Sequence, residues 1–575
     1  MTASGICELF GFAPPRDRKH GSVGKASGWK MVCALFVLCA ASTIASPAQT
    51  FRTVVHFHGT NGSLGQDPLP LIQGLDGNFY GTTWAGGVYY KGTVFKITRG
   101  GTLTTLYSFC AQTGCPDGSS PLAGLVQATD GNFYGGMAGG GAYGWGTIFK
   151  ITPGGTLTTL YSFDGADGYG PSSLVQATDG NIYGTTQNGG THFINGSYPG
   201  EGTIFKIAPG GKLTTVYDFC AQAQCTSYYP GGLIQATDGN FYGETLAYTG
   251  IFKMTPAGTL TYLHNYCTQP NCTDGYVGTG LLQATDGNFY GAMAGGGAYD
   301  KGTIFKLTPG GTLTALYNFC SQTNCSDGAS PIGALVQASD GNFYGTTYEG
   351  GQGPCLDGCG TVFKITPSGT LTTLHSFNGT DGMNPRAPLL QATNGTFYGT
   401  TPGGGVYGDG TVFSLCVGLG WFTEELPNYG KVGGTIDILG TNLTGASSVT
   451  FNGTAAPFTV ISKSEIQATV PSGARTGYVS VTLPSGRIPS NKKFRVTPQI
   501  TSFTPTSGSV GTLVTITGVS LTQTWEVTIR GVHASFTMVD DGTVTATVPT
   551  GATTGRIRIA GPGGAATSTT NFTVD

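Results

Sequence analysis

Eight of the chain's fourteen cysteines stand in four C-x4-C pairs: Cys110/Cys115, Cys220/Cys225, Cys267/Cys272 and Cys320/Cys325. Cys355 and Cys359 make a fifth close pair, and Cys416 is left over with its pairing open. Thiols at this spacing close short disulfide loops in an oxidising compartment, or two pairs converge on one tetrahedral zinc. The pairs fall in separate repeat units, which argues for disulfides and against a metal. Each loop this short contributes roughly 2 kcal/mol on the chain-entropy model.

Aromatic rings are the second set of groups with chemistry to offer. Trp84, Tyr90, Tyr143, Trp145, Tyr299, Tyr348 and Tyr407 lie in or at the edges of glycine-rich segments. Flat rings beside small polar groups suit sugar faces, so these are the candidate ligand-binding residues. The alternative is that each ring packs on its own loop. Glutamine recurs at one place in every repeat, as Gln73, Gln127, Gln176, Gln235, Gln283, Gln337 and Gln391. On an innermost strand these amides would line a central channel and bind a polar ligand or water. Strict repetition fits the other reading better, in which each amide satisfies backbone groups between units. Asp117, Asp167, Asp274, Asp327 and Asp381 each precede a glycine. Calcium is the cofactor such oxygens would take, while turn capping is the commoner use of Asp-Gly. The repeated lysines at 96, 150, 206, 253, 306 and 364 are expected to snorkel or pair.

No catalytic residue is assigned. His56, His264 and His375 occupy a register held elsewhere by Tyr107, Tyr161, Tyr217 and Tyr317, so they are structural substitutions. There is no HExxH, no phosphate loop and no nucleophile elbow.

The elements that position these groups come from a repeat. D-G-N-F-Y-G begins at Asp76, Asp130, Asp238, Asp286 and Asp340, with variants at Asp179 and Asn394. One unit runs from Leu125 to Phe163. Leu125–Ala128 is a strand, and Asp130-Gly131 predicts a two-residue type I′ hairpin. Strands at Phe133, Thr147–Ile151 and Leu157–Phe163 follow. Pro153-Gly154-Gly155 predicts a three-residue turn with a left-handed final glycine. Four antiparallel strands, seven times over, predict an all-β, seven-bladed propeller. The seventh unit lacks its fourth strand and an orphan strand, 51–57, precedes the first. Pairing the two closes the ring, with an open solenoid as the alternative.

These residues resemble the GloVer tandem-repeat family of exported bacterial proteins, over about 51–417. The resemblance implies export, often with a C-terminal anchor, and no established activity. The turn phrase is also similar to the blades of NHL-type and virginiamycin-lyase-type propellers. From Phe422 the pattern changes to short alternating strands, with Val449-Thr450-Phe451-Asn452-Gly453 and Ala468-Thr469-Val470-Pro471. It recurs around Val514-Thr515-Ile516 and Ala546-Thr547-Val548-Pro549. Both segments resemble IPT/TIG immunoglobulin-like β-sandwich domains, which in bacterial surface proteins serve as spacers or adhesive modules.

The expected organisation is a signal peptide with an N-terminal extension over 1–48, a propeller over 49–418, and sandwiches over 419–497 and 498–575. The leader reading rests on basic Arg16 to Lys30, an apolar run from Val32 to Ala41, and Ser46-Pro47-Ala48 as a cleavage site; a short buried helix is the alternative. No transmembrane segment remains after its removal. With 10% charged residues and a net charge of −3, the chain lacks the basic footprint of a nucleic-acid binder. The sequence therefore points to a secreted or cell-surface protein whose partner is extracellular polysaccharide or a surface protein. A secreted lyase or glycosidase and a structural envelope component are the rival expectations.

Overall fold

The computed structural model describes residues 49–58, 65–191, 200–219, 228–247 and 250–575. The leader, Cys220 and Cys225 lie outside the described residues. The repeats form seven four-stranded antiparallel blades. In blade 2 the strands are Ser119–Gln127, Phe133–Gly139, Thr147–Ile151 and Leu157–Ser162, paired in chain order. The first strand starts earlier than expected, because Ser120 (φ 55°) takes a left-handed bend before Pro121 and hides the period-2 pattern. The second strand's glycine is dictated by packing. Gly135 pairs with Phe149 on the third strand, and a Cβ there would sit 2.3 Å from the Phe149 ring.

Both tight turns are three-residue hairpins. At the first, Ala128 N–H donates to Asn132 O (2.9 Å) and Gly131 N–H to Ala128 O (2.9 Å). Only Gly131 has positive φ (77°), so the expected type I′ turn is replaced by a type I turn with a left-handed third residue. Asp130 keeps ordinary φ because its carboxylate is used locally. It accepts Asn132 N–H (3.1 Å), the Asn132 amide (2.9 Å) and Tyr134 O–H (2.9 Å). In four other blades the third-strand lysine joins this network. Lys96 meets Asp76 at 2.7 Å, Lys253 meets Asp238 at 3.0 Å, Lys306 meets Asp286 at 3.3 Å and Lys364 meets Asp340 at 3.0 Å. Burial pushes the Asp76 carboxyl up, but bonds from Lys96, Asn78 and Tyr80 outweigh it and hold the group below its ordinary value.

Thr50–His56 pairs with Thr411–Cys416 and completes blade 7, so first and last repeats share one sheet. Glutamine clasps every blade-to-blade seam. Leu75 N–H donates to Gln127 Oε1 (3.2 Å), and the same bond recurs to Gln176, Gln235, Gln283, Gln337 and Gln391 at 2.8–3.0 Å. Thr393 N–H donates to Gln73 Oε1 (3.0 Å), linking blade 7 to blade 1 and closing the ring. The amide nitrogen of Gln127 donates to Gly131 O (3.0 Å) in its own turn. Aromatic contacts run alongside, as with Tyr80–Phe133 (4.2 Å) and Phe79–Tyr398 (4.2 Å).

Two sandwiches follow. In the first, a four-stranded sheet that includes Thr435–Leu439 and Glu465–Thr469 faces a five-stranded one that includes Gly477–Leu483 and Gly486–Thr497. The second repeats this plan around its own core of Val514, Ile516, Ile557 and Phe572. The first sandwich sits on the propeller's tight-turn face. Phe422 N–H donates to Thr393 O (3.0 Å), Ser464 Oγ–H to Leu75 O (2.9 Å) and Tyr429 O–H to Ala177 O (2.9 Å). Arg99 reaches from blade 1 to Gly440 O (3.2 Å). Contacts to blades 1, 3 and 7 place this domain across the ring as a cap. Among the described residues no helix is long and apolar enough to cross a membrane.

Candidate functional site

With the tight-turn face capped, the long-loop face is the open one. A pocket of about 390 Å³ lies at its mouth, between blades 7, 1 and 2. Asp67, Pro68 and Pro70 come from the start of blade 1, Trp84 from the end of its second strand, and Arg386, Pro388 and Pro402 from blade 7. Prolines suit this rim because the first strands of blades 1 and 7 begin with a left-handed bend followed by an unpaired stretch. Asp67 (φ 54°) and Asn384 (φ 54°) hold that bend in blades 1 and 7. Trp84 is 45% exposed, so part of its side chain is open to a ligand.

Arg386 is held in place by an aromatic neighbour. Its guanidinium lies 5.2 Å from the Tyr348 ring centre, and its Nη2 donates to Tyr348 Oη at 3.4 Å. Asn384 Nδ2–H donates to Tyr348 O (2.8 Å), tying the two loops together. The Asp67 carboxyl is raised above its ordinary value, first by burial and further by Asp409, with Arg386 opposing. The mouth therefore offers a flat apolar ring, a fixed cation and a carboxyl of altered proton affinity around a proline-lined floor.

The structure sorts the candidate aromatics into separate groups. Trp84 and Tyr348 share one repeat register at the far end of the second strand, and ring closure places them on either side of blade 7. Trp145 makes a tilted contact with Tyr169 (5.0 Å), which opens the first strand of blade 3, so it packs against the neighbouring blade. Tyr90, Tyr143, Tyr299 and Tyr407 are exposed on loop crests. Tyr407 stacks on His58 at 4.2 Å. The seven glutamines do not form a free amide ring, since both ends of each amide are engaged at the seams. The residues three places before them are all small: Pro70, Gly124, Ser173, Gly232, Gly280, Ala334 and Pro388. Added Cβ atoms at Gly232 and Gly280 would lie 3.5 Å and 3.0 Å from the next blade, so small side chains let neighbouring inner strands approach closely.

The inter-blade aspartates act as loop clamps. Asp327 accepts Tyr317 O–H (2.7 Å) and Ser321 N–H (3.0 Å), and Asp117 accepts Tyr107 O–H (3.0 Å) and Cys110 N–H (2.9 Å). His375 Nε2 meets Asp381 at 2.9 Å, doing the tyrosine's work in blade 6. These carboxylates lie in separate blades. Among the described residues no three His, Cys, Asp or Glu side chains come together to hold a metal. The Asp117 and Asp327 clamps stand over disulfides, Cys110–Cys115 and Cys320–Cys325, and Cys267–Cys272 and Cys355–Cys359 are also bonded. Cys416 is disulfide-bonded as well.

Arg386 and Asp67 were not singled out by sequence reasoning, because their surroundings exist only after ring closure. Glu244 and Tyr266 were also missed, although a register signal was present. The residue after F-Y-G is Thr, Gly or Ala in the other six units and Glu only at 244. Tyr266 stands where the other fourth strands carry Phe, as at Phe109 and Phe319. Glu244 is fully buried between blades 4 and 5, where it accepts Gly280 N–H (2.8 Å). Burial raises its pKa to about 8, only partly opposed by that bond. Its Oε1 and the Tyr266 hydroxyl have no hydrogen-bond partner among the described residues.

A closed propeller capped on one face and open on the other is a rigid scaffold of the kind that carries binding sites on its loops. The chain belongs to the Gloeobacter/Verrucomicrobia repeat family, whose model matches residues 39–250 and 247–457. The IPT/TIG domain model matches 423–496 and 498–574. No curated protein sequence matches. Among solved structures, virginiamycin B lyase from Staphylococcus aureus is 13% identical, covering 64% of this chain and 99% of its own, with a TM-score of 0.44. The extracellular domain of a hybrid two-component system protein from B. thetaiotaomicron is 11% identical over 90% of this chain and 65% of its own, with a TM-score of 0.42. A surface glycan-binding protein from Prevotella bryantii is 21% identical over 25% of this chain and 38% of its own, with a TM-score of 0.19. The disulfides are consistent with an exported protein.

Proposed function

We propose that this is an exported, non-catalytic binding protein of the cell surface or secreted space, whose open propeller face engages extracellular polysaccharide. The pocket that joins Trp84, Arg386 and Asp67 on the uncapped face carries this reading. An exposed indole suits a sugar ring, and a guanidinium fixed on Tyr348 suits a carboxylate or hydroxyl pair. The first sandwich caps the opposite face and leaves this one open to a ligand.

The test is depletion of the 49–575 protein from solution by a panel of insoluble polysaccharides, with released sugar measured in the same tubes. Selective depletion, lost on Trp84→Ala and Arg386→Ala and without product, supports the reading. Binding that survives both substitutions refutes it. One observation favours a second reading: the Asp67 carboxyl lines the mouth beside Arg386 and is held above its ordinary value, chiefly by burial. Released sugar that disappears on Asp67→Asn would establish a carbohydrate-active enzyme instead.

A further inference from the structure

A second cavity, of about 460 Å³, lies on the other side of the ring. It is a groove between the tight turns of blades 5 and 6 and the first sandwich. Thr285, Ser339 and Gly341 form the propeller wall, and Trp421, Tyr478 and Asn491 are on the sandwich wall. We propose that this groove is a separate ligand site that takes an uncharged saccharide unit.

Three observations point to that class. No lining residue is charged, whereas the mouth pocket holds both Asp67 and Arg386. A charged ligand here would lose its hydration with nothing to replace it, so the groove selects neutral molecules. The groove also presents rings. Tyr478 is 41% exposed, on a strand whose neighbours Gly477 and Val479 are buried, so its ring faces away from the sandwich core. Trp421 packs its other side on that core. Aromatic rings with polar edges are the usual partners of a sugar's apolar face.

The third observation concerns hydrogen bonds. Most polar groups of the propeller wall are already committed. The Gln337 amide bonds Thr285 N–H and Gly341 O, and Ser339 bonds Gln391 through both N–H and Oγ. On the sandwich wall, Ser490 Oγ accepts Val479 N–H and donates to Lys492 O. Asn491 Oδ1 is different: it is buried and has no hydrogen-bond partner among the described residues. Rotation of the Asn491 amide toward the neutral, ring-bearing groove lets this unmet acceptor take a ligand hydroxyl. The cavity is within the size range of small-ligand pockets.

The test is isothermal titration of the full chain with cellobiose, xylobiose, maltose and N,N′-diacetylchitobiose, with digalacturonate as the charged control. At least one neutral disaccharide is expected to bind saturably, and digalacturonate is not expected to compete with it. Tyr478→Ala and Asn491→Ala are each expected to weaken that binding about tenfold or more. Trp84→Ala, in the mouth pocket, is expected to leave it unchanged. Near-UV circular dichroism of each variant confirms the fold. Absence of saturable binding by all four disaccharides overturns the proposal. So does binding that Tyr478→Ala leaves intact, or binding that Trp84→Ala abolishes. This site does not depend on the mouth pocket, so polysaccharide depletion can fail while this titration succeeds, and the reverse.

Discussion

Replacing Glu244 by Gln should make the propeller less sensitive to alkali. The folded chain holds the Glu244 proton up to about pH 8, because the carboxyl is fully buried, while an unfolded carboxyl loses its proton near the ordinary value of 4.5. Between those values the unfolded state binds fewer protons, so stability falls as pH rises. The slope is about 1.4 kcal/mol per pH unit, and the whole span corresponds to roughly 5 kcal/mol. Gln keeps an oxygen to accept Gly280 N–H and does not titrate. Urea unfolding followed by tryptophan fluorescence should give wild-type and Glu244→Gln curves that agree near pH 5 and separate steadily to pH 8. The variant should be the more stable at the alkaline end. Parallel pH profiles for the two proteins would refute the buried-acid argument.

Other outcomes follow from the same geometry. Gln283→Ala removes the clasp from Thr237 N–H across the blade 4–5 seam and leaves that exposed donor to water, costing about 0.5–1.5 kcal/mol in urea unfolding. Deleting residues 49–57 strips the closing strand from blade 7 and exposes the edge at Thr411–Cys416. The truncated chain should elute as larger species in size-exclusion chromatography, where the intact chain elutes sharply. Cys320→Ser with Cys325→Ser opens a loop closed over a sequence separation of 5. Unfolding measurements should show a loss of about 2 kcal/mol, with the Asp327 clamp keeping the loop in place.

Much of the fold was legible because the repeat encodes it locally. The glycine under each third-strand Phe and the apolar alternation recur in each unit and the turn aspartate in six of the seven, so the copies reinforce one reading. The missing fourth strand and its orphan partner made closure legible too. The turn type was not, since Asp-Gly is compatible with two hairpins and the Asn and Tyr bonds to Asp130 select between them. The tyrosine-to-histidine exchanges were readable as structural, and Asp381 beside His375 supplies the reason.

The candidate site was legible only in part. Trp84 and Tyr348 stood out as aromatics in glycine-rich surroundings, but nothing linked them along the chain. The seven glutamines offered two readings, a channel lining or bonds between units, and strict repetition favoured the second; each Oε1 accepts a backbone N–H of the neighbouring blade. By itself the sequence determined the blade, its number of copies and the two sandwiches, because each shows as strand alternation and turn residues that repeat along the chain. Tertiary structure alone decided the rest. Ring closure brought Arg386 beside the blade 1 pocket, docking of the first sandwich blocked one face, and burial between two blades turned Glu244 into a proton-holding acid. Each of these depends on distances between residues far apart in the chain, which hydrophobic periodicity does not encode.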